Sequence, residues 1–230
     1  MPLSILLSIA ALRAQTPKFV PIPTSDGSPS SYAMMATEVT YLQFEQFVKA
    51  TGYLTRAERD RAARTWRNPG FETLPLQPVT YVTFDDASAY CAWIDARIPS
   101  DAEWEQAAGA GAKTRHYWGE AIDSRYLWFR QNSGGRPQPV GTKLPNPYGL
   151  FDVEGNVWEW TSVPTEPGED PLANRRGGSW VDCEDIESAP GKPPGQLIGL
   201  SKYFKIPLKL HHRYDDIGFR CARTLSGRKQ

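Results

Sequence analysis

The stretch from residue 145 to residue 160 constrains the fold of this chain more than any other part of the sequence. It reads Pro-Asn-Pro-Tyr-Gly-Leu-Phe-Asp-Val-Glu-Gly-Asn-Val-Trp-Glu-Trp, so turn-forming residues lead into a strand with two tryptophans. The carboxylates of Asp152, Glu154 and Glu159 come close to backbone that Gly155 leaves accessible. Because calcium takes oxygen ligands from carboxylates and main-chain carbonyls, the stretch predicts a calcium-binding turn.

Composition indicates a compact, loop-rich domain. The chain has 230 residues, of which 40% are hydrophobic and 12% aromatic, with 19 glycines and 20 prolines. This is too apolar for a disordered protein and too rich in turn formers for a helical bundle. The 26 basic and 26 acidic residues cancel. Nucleic-acid binders usually carry a basic excess, so that class is disfavoured.

The N-terminus predicts export. Residues 3–12 form an apolar run that is too short to span a bilayer. The run fits the hydrophobic region of a signal peptide comprising residues 1–14, with cleavage after Ala14. The predicted location is therefore secreted or periplasmic. No basic residue precedes the run, so a buried first strand is the alternative interpretation.

Capping signals predict three helices in the first half of the chain. The predicted N-caps are Thr40, either Asp85 or Asp86, and Ser100. The second helix has its buried face at Ala87, Tyr90, Cys91 and Ile94. The first helix ends at Gly52 and the third at Gly109 and Gly111.

Short strands are predicted around these helices. The predicted segments are 19–22, 31–39, 78–83, 175–180 and 216–223. After Trp118 the sequence contains no convincing amphipathic helix. Helices followed by irregular β structure, with no linker between them, indicate one α+β domain.

Several rare motifs occur in a defined order. Residues 97–108 read Arg-Ile-Pro-Ser-Asp-Ala-Glu-Trp-Glu-Gln-Ala-Ala, and residues 155–160 read Gly-Asn-Val-Trp-Glu-Trp. Residues 176–180 read Arg-Gly-Gly-Ser-Trp, and residues 218–223 read Gly-Phe-Arg-Cys-Ala-Arg. From residue 17 to residue 224 the chain strongly resembles the formylglycine-generating enzyme, or sulfatase-modifying factor, family. The resemblance implies a C-type-lectin-like α+β fold with little regular secondary structure.

The resemblance also implies a calcium site. Carried over by motif, its ligands are the side chains of Asp152 and Glu159 and the carbonyls of Gly155 and Val157. Two carboxylates and two carbonyls, completed by water, suit calcium. The alternative is that Glu159 hydrogen-bonds a loop. A second family site is predicted to be lost, because Trp128 stands where an oxygen ligand is expected.

The catalytic thiols of the family are missing. The enzyme holds copper with two cysteines, three and eight residues after the serine of its Arg-Gly-Gly-Ser motif. Here that serine is Ser179, and the two positions carry Asp182 and Glu187. Carboxylates are hard ligands and do not replace the thiolates that hold Cu(I), so copper is not expected. Trp158, Ser179 and Trp180 are retained, either as pocket residues or as core residues of the fold.

The acidic residues after Ser179 leave two interpretations open. Asp182, Glu184, Asp185 and Glu187 could do acid–base work or be solvated, and with Asp170, Asp215 and Asp216 they could attract a basic partner or a cation. The segment 202–213 contains His211 and His212 and is interpreted as a solvated basic loop.

Three cysteines are present, and none forms a Cys-x-x-Cys pair, which disfavours a zinc site. The resemblance implies a disulfide between Cys91 and Cys221, with Cys183 outside it.

The sequence therefore predicts a secreted, calcium-stabilised binding module without formylglycine-generating activity. Its ligand would be a protein, peptide or glycan, with no nucleic acid and no membrane span. The long segment 181–214 would form much of the binding surface. Tyr203, Phe204 and Leu208 would be its anchors, or alternatively would pack this segment against the body of the domain. The alternative is a divergent oxidoreductase that acts on a protein or peptide cysteine and uses Cys183 with a metal. A diversified ligand-binding protein of the retroelement type is disfavoured, because residues 191–200 lack the expected Asn, Ser and Tyr.

Overall fold

The structure is a computed structural model that describes residues 16–24, 30–164, 172–183 and 205–225. The proposed signal segment, Asp170, Glu184, Asp185, Glu187, Tyr203 and Phe204 lie outside these residues. No helix within the described ranges is long and apolar enough to cross a membrane.

Four helices occur in the described residues, and each begins with a capping box. They are α1 (Tyr41–Thr51), α2 (Arg56–Arg59), α3 (Phe84–Trp93) and α4 (Asp101–Gly109). Their N-caps are Thr40, Thr55, Thr83 and Ser100, paired with Gln43, Glu58, Asp86 and Glu103 three residues on. Each cap hydroxyl accepts one backbone amide, and the later side chain accepts the cap amide in return.

One detail of the helix prediction was wrong. The N-cap of α3 is Thr83, whereas Asp86 is the reciprocal partner inside the first turn. Helix α4 ends at Gly109 as predicted, and its C-cap is Ala110, which adopts a left-handed conformation with φ 46°. The short helix α2 was not predicted, because its four residues are too few to show a periodic apolar pattern.

Seven strands form two sheets in the described residues. The first sheet, ordered β1-β2-β7, joins Phe19–Pro21, Tyr32–Met35 and Ala222–Thr224 in antiparallel fashion. The second is ordered β5-β4-β3-β6 and contains β3 (Trp158–Ser162), β4 (Leu172–Arg176), β5 (Lys205–Lys209) and β6 (Ile217–Gly218). Its β3–β6 pair is parallel, and its other pairs are antiparallel.

The predicted strands differ from these in four places. Residues 31–39 contain only the short β2, and residues 175–180 contain only the end of β4. Residues 78–83 form a single bridge, from Pro78 to Thr40, because Tyr81 has φ 62° and breaks the extended conformation. Residues 216–223 divide between β6 and β7, which belong to different sheets.

The segment interpreted as a basic loop contains strand β5. Residues Lys205–Lys209 pair with all of β4, and their side chains alternate between exposed and half-buried positions. Leu208 packs against the main hydrophobic core. The proposed ligand anchor at Leu208 is therefore wrong, because this side chain holds β5 on the domain.

The main core lies between helices α1 and α3 and the second sheet. Phe44, Tyr90 and Phe219 meet there, with ring centroids 5.6 to 6.3 Å apart, and Trp160 belongs to the same cluster. A second cluster packs Trp104 of α4 against Met34 of β2 and neighbouring loops. The two clusters flank β3, which is buried from Trp158 to Thr161.

A disulfide joins the helical layer to the first sheet. Cys91 of α3 is bonded to Cys221, which directly precedes β7, and both residues are fully buried. This confirms the predicted pair. The link spans 130 residues of sequence, so it restricts the unfolded chain strongly.

Candidate functional site

The turn before β3 depends on a glycine. Gly155 has φ 84°, and a Cβ there would lie 2.4 Å from the carbonyl oxygen of Trp128. No other residue type fits this close approach without movement of the backbone. Asp152 and Asn156 also have positive φ values, of 53° and 56°. The turn therefore holds Asp152 in a conformation that few side chains adopt.

Asp152 lies buried at the head of this turn. Its Oδ2 atom accepts a hydrogen bond of 2.6 Å from the amide of Gly141, whereas Oδ1 has no partner among the described residues. Burial raises the pKa of Asp152 to about 6, although the Gly141 amide and Arg220 oppose the shift. A buried carboxylate oxygen without a donor is costly unless an ion or water completes it.

Glu38 is a second buried carboxylate in this region. Its Oε1 atom accepts a hydrogen bond of 3.0 Å from Nδ2 of Asn156, and Oε2 has no partner among the described residues. Burial and the negative charge of Asp152 raise the pKa of Glu38 well above its usual range. The sequence prediction missed Glu38 because it lies more than 100 residues from the turn.

Glu159 is held by a buried arginine. Nε and Nη2 of Arg220 each donate a hydrogen bond of 2.7 Å to its carboxylate, and Nε1 of Trp104 donates another of 2.7 Å. Glu159 thus connects β3 to α4 and to the segment before β7. Arg220 further donates to the carbonyls of Met35 and Phe151, which ties the two sheets together.

The three carboxylates form an acidic cluster around one arginine. Glu38, Asp152 and Glu159 interact electrostatically with one another and with Arg220. Among the described residues, no hydrogen bond ends on the carbonyl of Gly155 or Val157. Also within these residues, no three His, Cys, Asp or Glu side chains converge as metal ligands by themselves. The two partnerless carboxylate oxygens and the two carbonyls are the donor types that a hard cation takes.

The second candidate site surrounds Ser179, in the turn after β4. The Oδ2 atom of Asp182 accepts a hydrogen bond of 2.8 Å from the Ser179 amide and another of 2.9 Å from its hydroxyl. Oδ2 of Asp216 lies 3.4 Å from the same hydroxyl. Ser179 and Asp182 are buried, so the carboxylate at the first expected cysteine position faces inward.

Asp216, one of the acidic residues that could attract a basic partner or a cation, is largely buried. Its side chain is only 14% exposed, and burial raises its pKa to about 6, with a further contribution from Asp182. Nη1 of Arg175 lies 3.9 Å from its Oδ2 atom and partly opposes the shift. Asp182 is likewise buried, so neither carboxylate serves a solvated acidic patch.

The retained tryptophans contact residues that neighbour these carboxylates in sequence or in space. The guanidinium carbon of Arg175 lies 4.7 Å from the centroid of the Trp158 ring, a cation–π distance. Nε1 of Trp180 donates a hydrogen bond of 3.3 Å to the carbonyl of Asp215. Trp158 is buried in the main core, whereas Trp180 is half-buried. Cys183, next to Asp182, is also buried.

A buried histidine–glutamate pair was not predicted. Nδ1 of His116 lies 2.5 Å from Oε2 of Glu154, and both side chains are fully buried. The His116 ring stacks on Trp118 with a centroid distance of 4.6 Å. The residues are 38 positions apart, so no local spacing signals the contact. Glu154 therefore faces His116 in the interior.

Comparisons with known proteins match this architecture. The family profile described as "Sulfatase-modifying factor enzyme 1-like domain" matches residues 10–225. Inactive C-alpha-formylglycine-generating enzyme 2 of Mus musculus is 34% identical over 183 residues, which are 72% of this chain and 56% of that protein. The formylglycine-generating enzyme of Streptomyces coelicolor is 31% identical over 211 residues, covering 65% of this chain and 67% of that enzyme.

A solved structure supports the fold. PvdO from Pseudomonas aeruginosa superposes with a TM-score of 0.66 and 24% sequence identity, covering 91% of this chain and 92% of PvdO. The predicted α+β fold of the C-type-lectin-like class is confirmed. The chain spans little more than half the length of the mouse relative.

Proposed function

Because the chain belongs to the family of the sulfatase-modifying factor enzyme 1-like domain, we propose that it is a binding module of this family that does not generate formylglycine. The ligand of this module is a protein, a peptide or a glycan. The proposed location is secreted or periplasmic, in keeping with the apolar N-terminal run and the disulfide between Cys91 and Cys221.

The observation that carries this proposal is the contact between Asp182 and Ser179. Asp182 occupies the first expected thiol position, and its carboxylate accepts both the amide and the hydroxyl of Ser179. Soft sulfur ligands hold Cu(I). The Oδ2 atom of Asp182 is a hard ligand that already accepts hydrogen bonds of 2.8 and 2.9 Å, so it is a poor ligand for this ion. The second position is Glu187, another hard ligand. The mouse relative carries the word "inactive" in its name, which supports the proposal that this chain does not generate formylglycine.

Calcium stabilisation is part of the proposal. Oδ1 of Asp152, Oε1 of Glu159 and the carbonyls of Gly155 and Val157 would hold the ion. Asp152 contributes a buried oxygen without a donor among the described residues, and Oε1 of Glu159 has one acceptor position left beside its bond from Arg220. A divalent cation there would offset the mutual repulsion of the buried carboxylates. Its role would be structural, since it would fix the turn that leads into β3.

A second candidate function is a divergent oxidoreductase acting on a protein or peptide cysteine. It is favoured by the position of the buried Cys183 directly after Asp182, the residue that is hydrogen-bonded to Ser179. In this case the single sulfur would act with a metal, and activity would be lost in Cys183→Ser.

A peptide assay separates the two functions. The purified chain is incubated with copper, oxygen and a sulfatase-derived cysteine peptide, and formylglycine is measured by mass spectrometry. The Streptomyces coelicolor enzyme serves as the positive control. We expect no product; turnover that disappears in Cys183→Ser would replace the binding proposal with the oxidoreductase.

Copper affinity gives a second readout. The double substitution Asp182→Cys with Glu187→Cys restores both thiol positions. We expect this variant to compete with a Cu(I) chelator and the unmodified chain to lose that competition. Equal competition by the two proteins would show that Asp182 and Glu187 do not explain the loss of copper.

A further inference from the structure

A cleft of about 530 Å³ lies outside the sites described above. It opens between the turn after α2 and the segment that joins β5 to β6. We call it the arginine–histidine cleft; its functional side chains are Arg64, Tyr81, His211, His212, Arg213 and Tyr214. No acidic side chain occurs among the described residues that line it. Ligand pockets commonly have volumes of roughly 300 to 1,000 Å³, and this cleft lies in that range.

The two arginines of the cleft retain donor capacity. Nη1 of Arg64 lies 3.6 Å from Asp215, and Nη2 of Arg213 lies 3.3 Å from Asp60. Asp60 and Asp215 are both partly exposed, and such surface ion pairs contribute little. Each guanidinium carries five N–H donors in a planar fork that matches an oxyanion. A ligand can therefore bind both arginines, whether their weak contacts with the two aspartates are kept or replaced.

Two buried nitrogen atoms, one in a residue that lines the cleft and one in a residue that acts on it electrostatically, have no hydrogen-bond partner among the described residues. They are Nδ1 of His212 and Nε of Arg175, respectively. Burial, together with the positive charges of His211, Lys209 and Arg175, lowers the pKa of His212. Several cationic groups therefore lie close to His212. Buried polar atoms without hydrogen-bond partners commonly mark a place for an ion or an ordered water molecule.

A second cleft provides a contrast within the same molecule. It has a volume of about 510 Å³ and is lined by Arg97 and Arg223. Arg97 donates twice to Glu103 at 2.6 Å, and Arg223 donates to the carbonyls of Ile94 and Asp95. The cations of that cleft are occupied by the protein itself. The arginine–histidine cleft is therefore the stronger anion site of the two.

We propose that the arginine–histidine cleft binds a sulfate, phosphate or carboxylate group carried on a ring. Arg64 and Arg213 hold the oxyanion through charge-assisted hydrogen bonds. Tyr81 and Tyr214, the latter 44% exposed, offer aromatic surface to the ring. This site is independent of the chemistry at Ser179, and it stands whether or not the chain oxidises a peptide cysteine.

The test uses four small probes and the intact chain. The probes are 4-nitrophenyl sulfate, 4-nitrophenyl phosphate, 4-nitrobenzoate and the neutral 4-nitrobenzyl alcohol. Binding is followed by changes in the amide NMR spectrum during titration. We expect saturable binding of at least one anionic probe, roughly tenfold tighter than that of the neutral probe. The tightest anion identifies which oxyanion the cleft prefers.

A double variant locates the site. Arg64→Gln with Arg213→Gln removes both cations. Arg64 is exposed and Arg213 is half-buried, and both pair with partly exposed aspartates, so the fold should persist. We expect a loss of roughly tenfold or more in affinity for the anionic probes. The matched control is Arg125→Gln, which removes an arginine from an exposed ion pair with Asp123 elsewhere. Unchanged affinity in the double variant, or equal binding of the neutral probe, would overturn the proposal.

Discussion

Arg220 and Glu159 form a bidentate ion pair that is closed to solvent. Both hydrogen bonds measure 2.7 Å, and the two side chains are 0% and 1% exposed. The pair joins β3 to the segment that enters β7, so it lies where the two sheets meet. A charge this deep is tolerated only while its partner stays in place.

Removing one member of this pair should destabilise the domain strongly. Glu159→Gln leaves the Arg220 charge buried without the carboxylate that accepts both of its hydrogen bonds, and we expect the free energy of unfolding to fall by about 3 to 5 kcal/mol. Chemical denaturation in the presence of a chelator measures the change without any metal contribution. The control is Asp123→Asn, which breaks a surface pair with Arg125. Similar losses of unfolding free energy in both variants would contradict the prediction that the buried pair stabilises the domain more than a surface pair does.

Calcium should raise the thermal stability of the chain. At a calcium concentration 100 times the dissociation constant, we expect a gain of about 2.7 kcal/mol over the chelated protein. Asp152→Asn should abolish the gain, because it removes the charge that the ion would balance. Glu72→Gln, at a residue with a 76% exposed side chain, should retain it. A melting temperature that does not respond to chelator and calcium would remove the metal from the proposal.

Asp216 should make stability fall as the pH rises. Its pKa is about 6 in the folded chain and about 3.9 in the unfolded chain, so folding takes up a proton between these values. The stabilisation is fully present below pH ~4 and is lost as the pH passes ~6. The Asp216→Asn variant lacks this dependence. The difference between its free energy of unfolding and that of the unmodified chain should therefore rise by on the order of 2 kcal/mol as the pH increases from ~4 to ~6. Urea unfolding at several pH values measures it, and a pH dependence unchanged by Asp216→Asn would contradict the prediction.

The disulfide should contribute a large share of the stability. Replacing Cys91 and Cys221 by alanine should lower the free energy of unfolding by about 4 kcal/mol, because the link closes a long segment of chain. A reducing agent should lower the melting temperature of the unmodified chain and leave that of the double variant unchanged. Peptide mapping without reduction should recover the Cys91–Cys221 link. Three reduced thiols in the native protein would contradict both the link and the proposed export.

Local signals predicted the helices well. The capping boxes at Thr40 and Ser100 act over three residues, so the sequence shows them directly. The cap at Thr83 was missed because the two aspartates after it are also good N-cap residues. Strand β5 was missed because two lysines and a proline make it read as a solvated loop. Its pairing with β4 and the packing of Leu208 outweigh that composition.

The candidate sites were predictable only where their residues lie close together in sequence. Asp152 and Glu159 belong to one turn and strand, whereas Glu38 and Arg220 reach the same cluster from distant segments. Asp216 follows Asp215 in an acidic pair, and nothing in that local sequence shows that it is buried near Ser179. His116 and Glu154 are also far apart in sequence, so their contact could not be predicted from local spacing.

The link between Cys91 and Cys221 also bears on what happens to a damaged chain. Any single backbone cut between these two residues leaves both pieces covalently joined, with α3 still attached to the start of β7. A protease that nicks a loop in this span therefore releases no fragment while the bond stays oxidised. In an oxidising compartment the nicked protein would persist as one molecule, and only reduction would separate its parts.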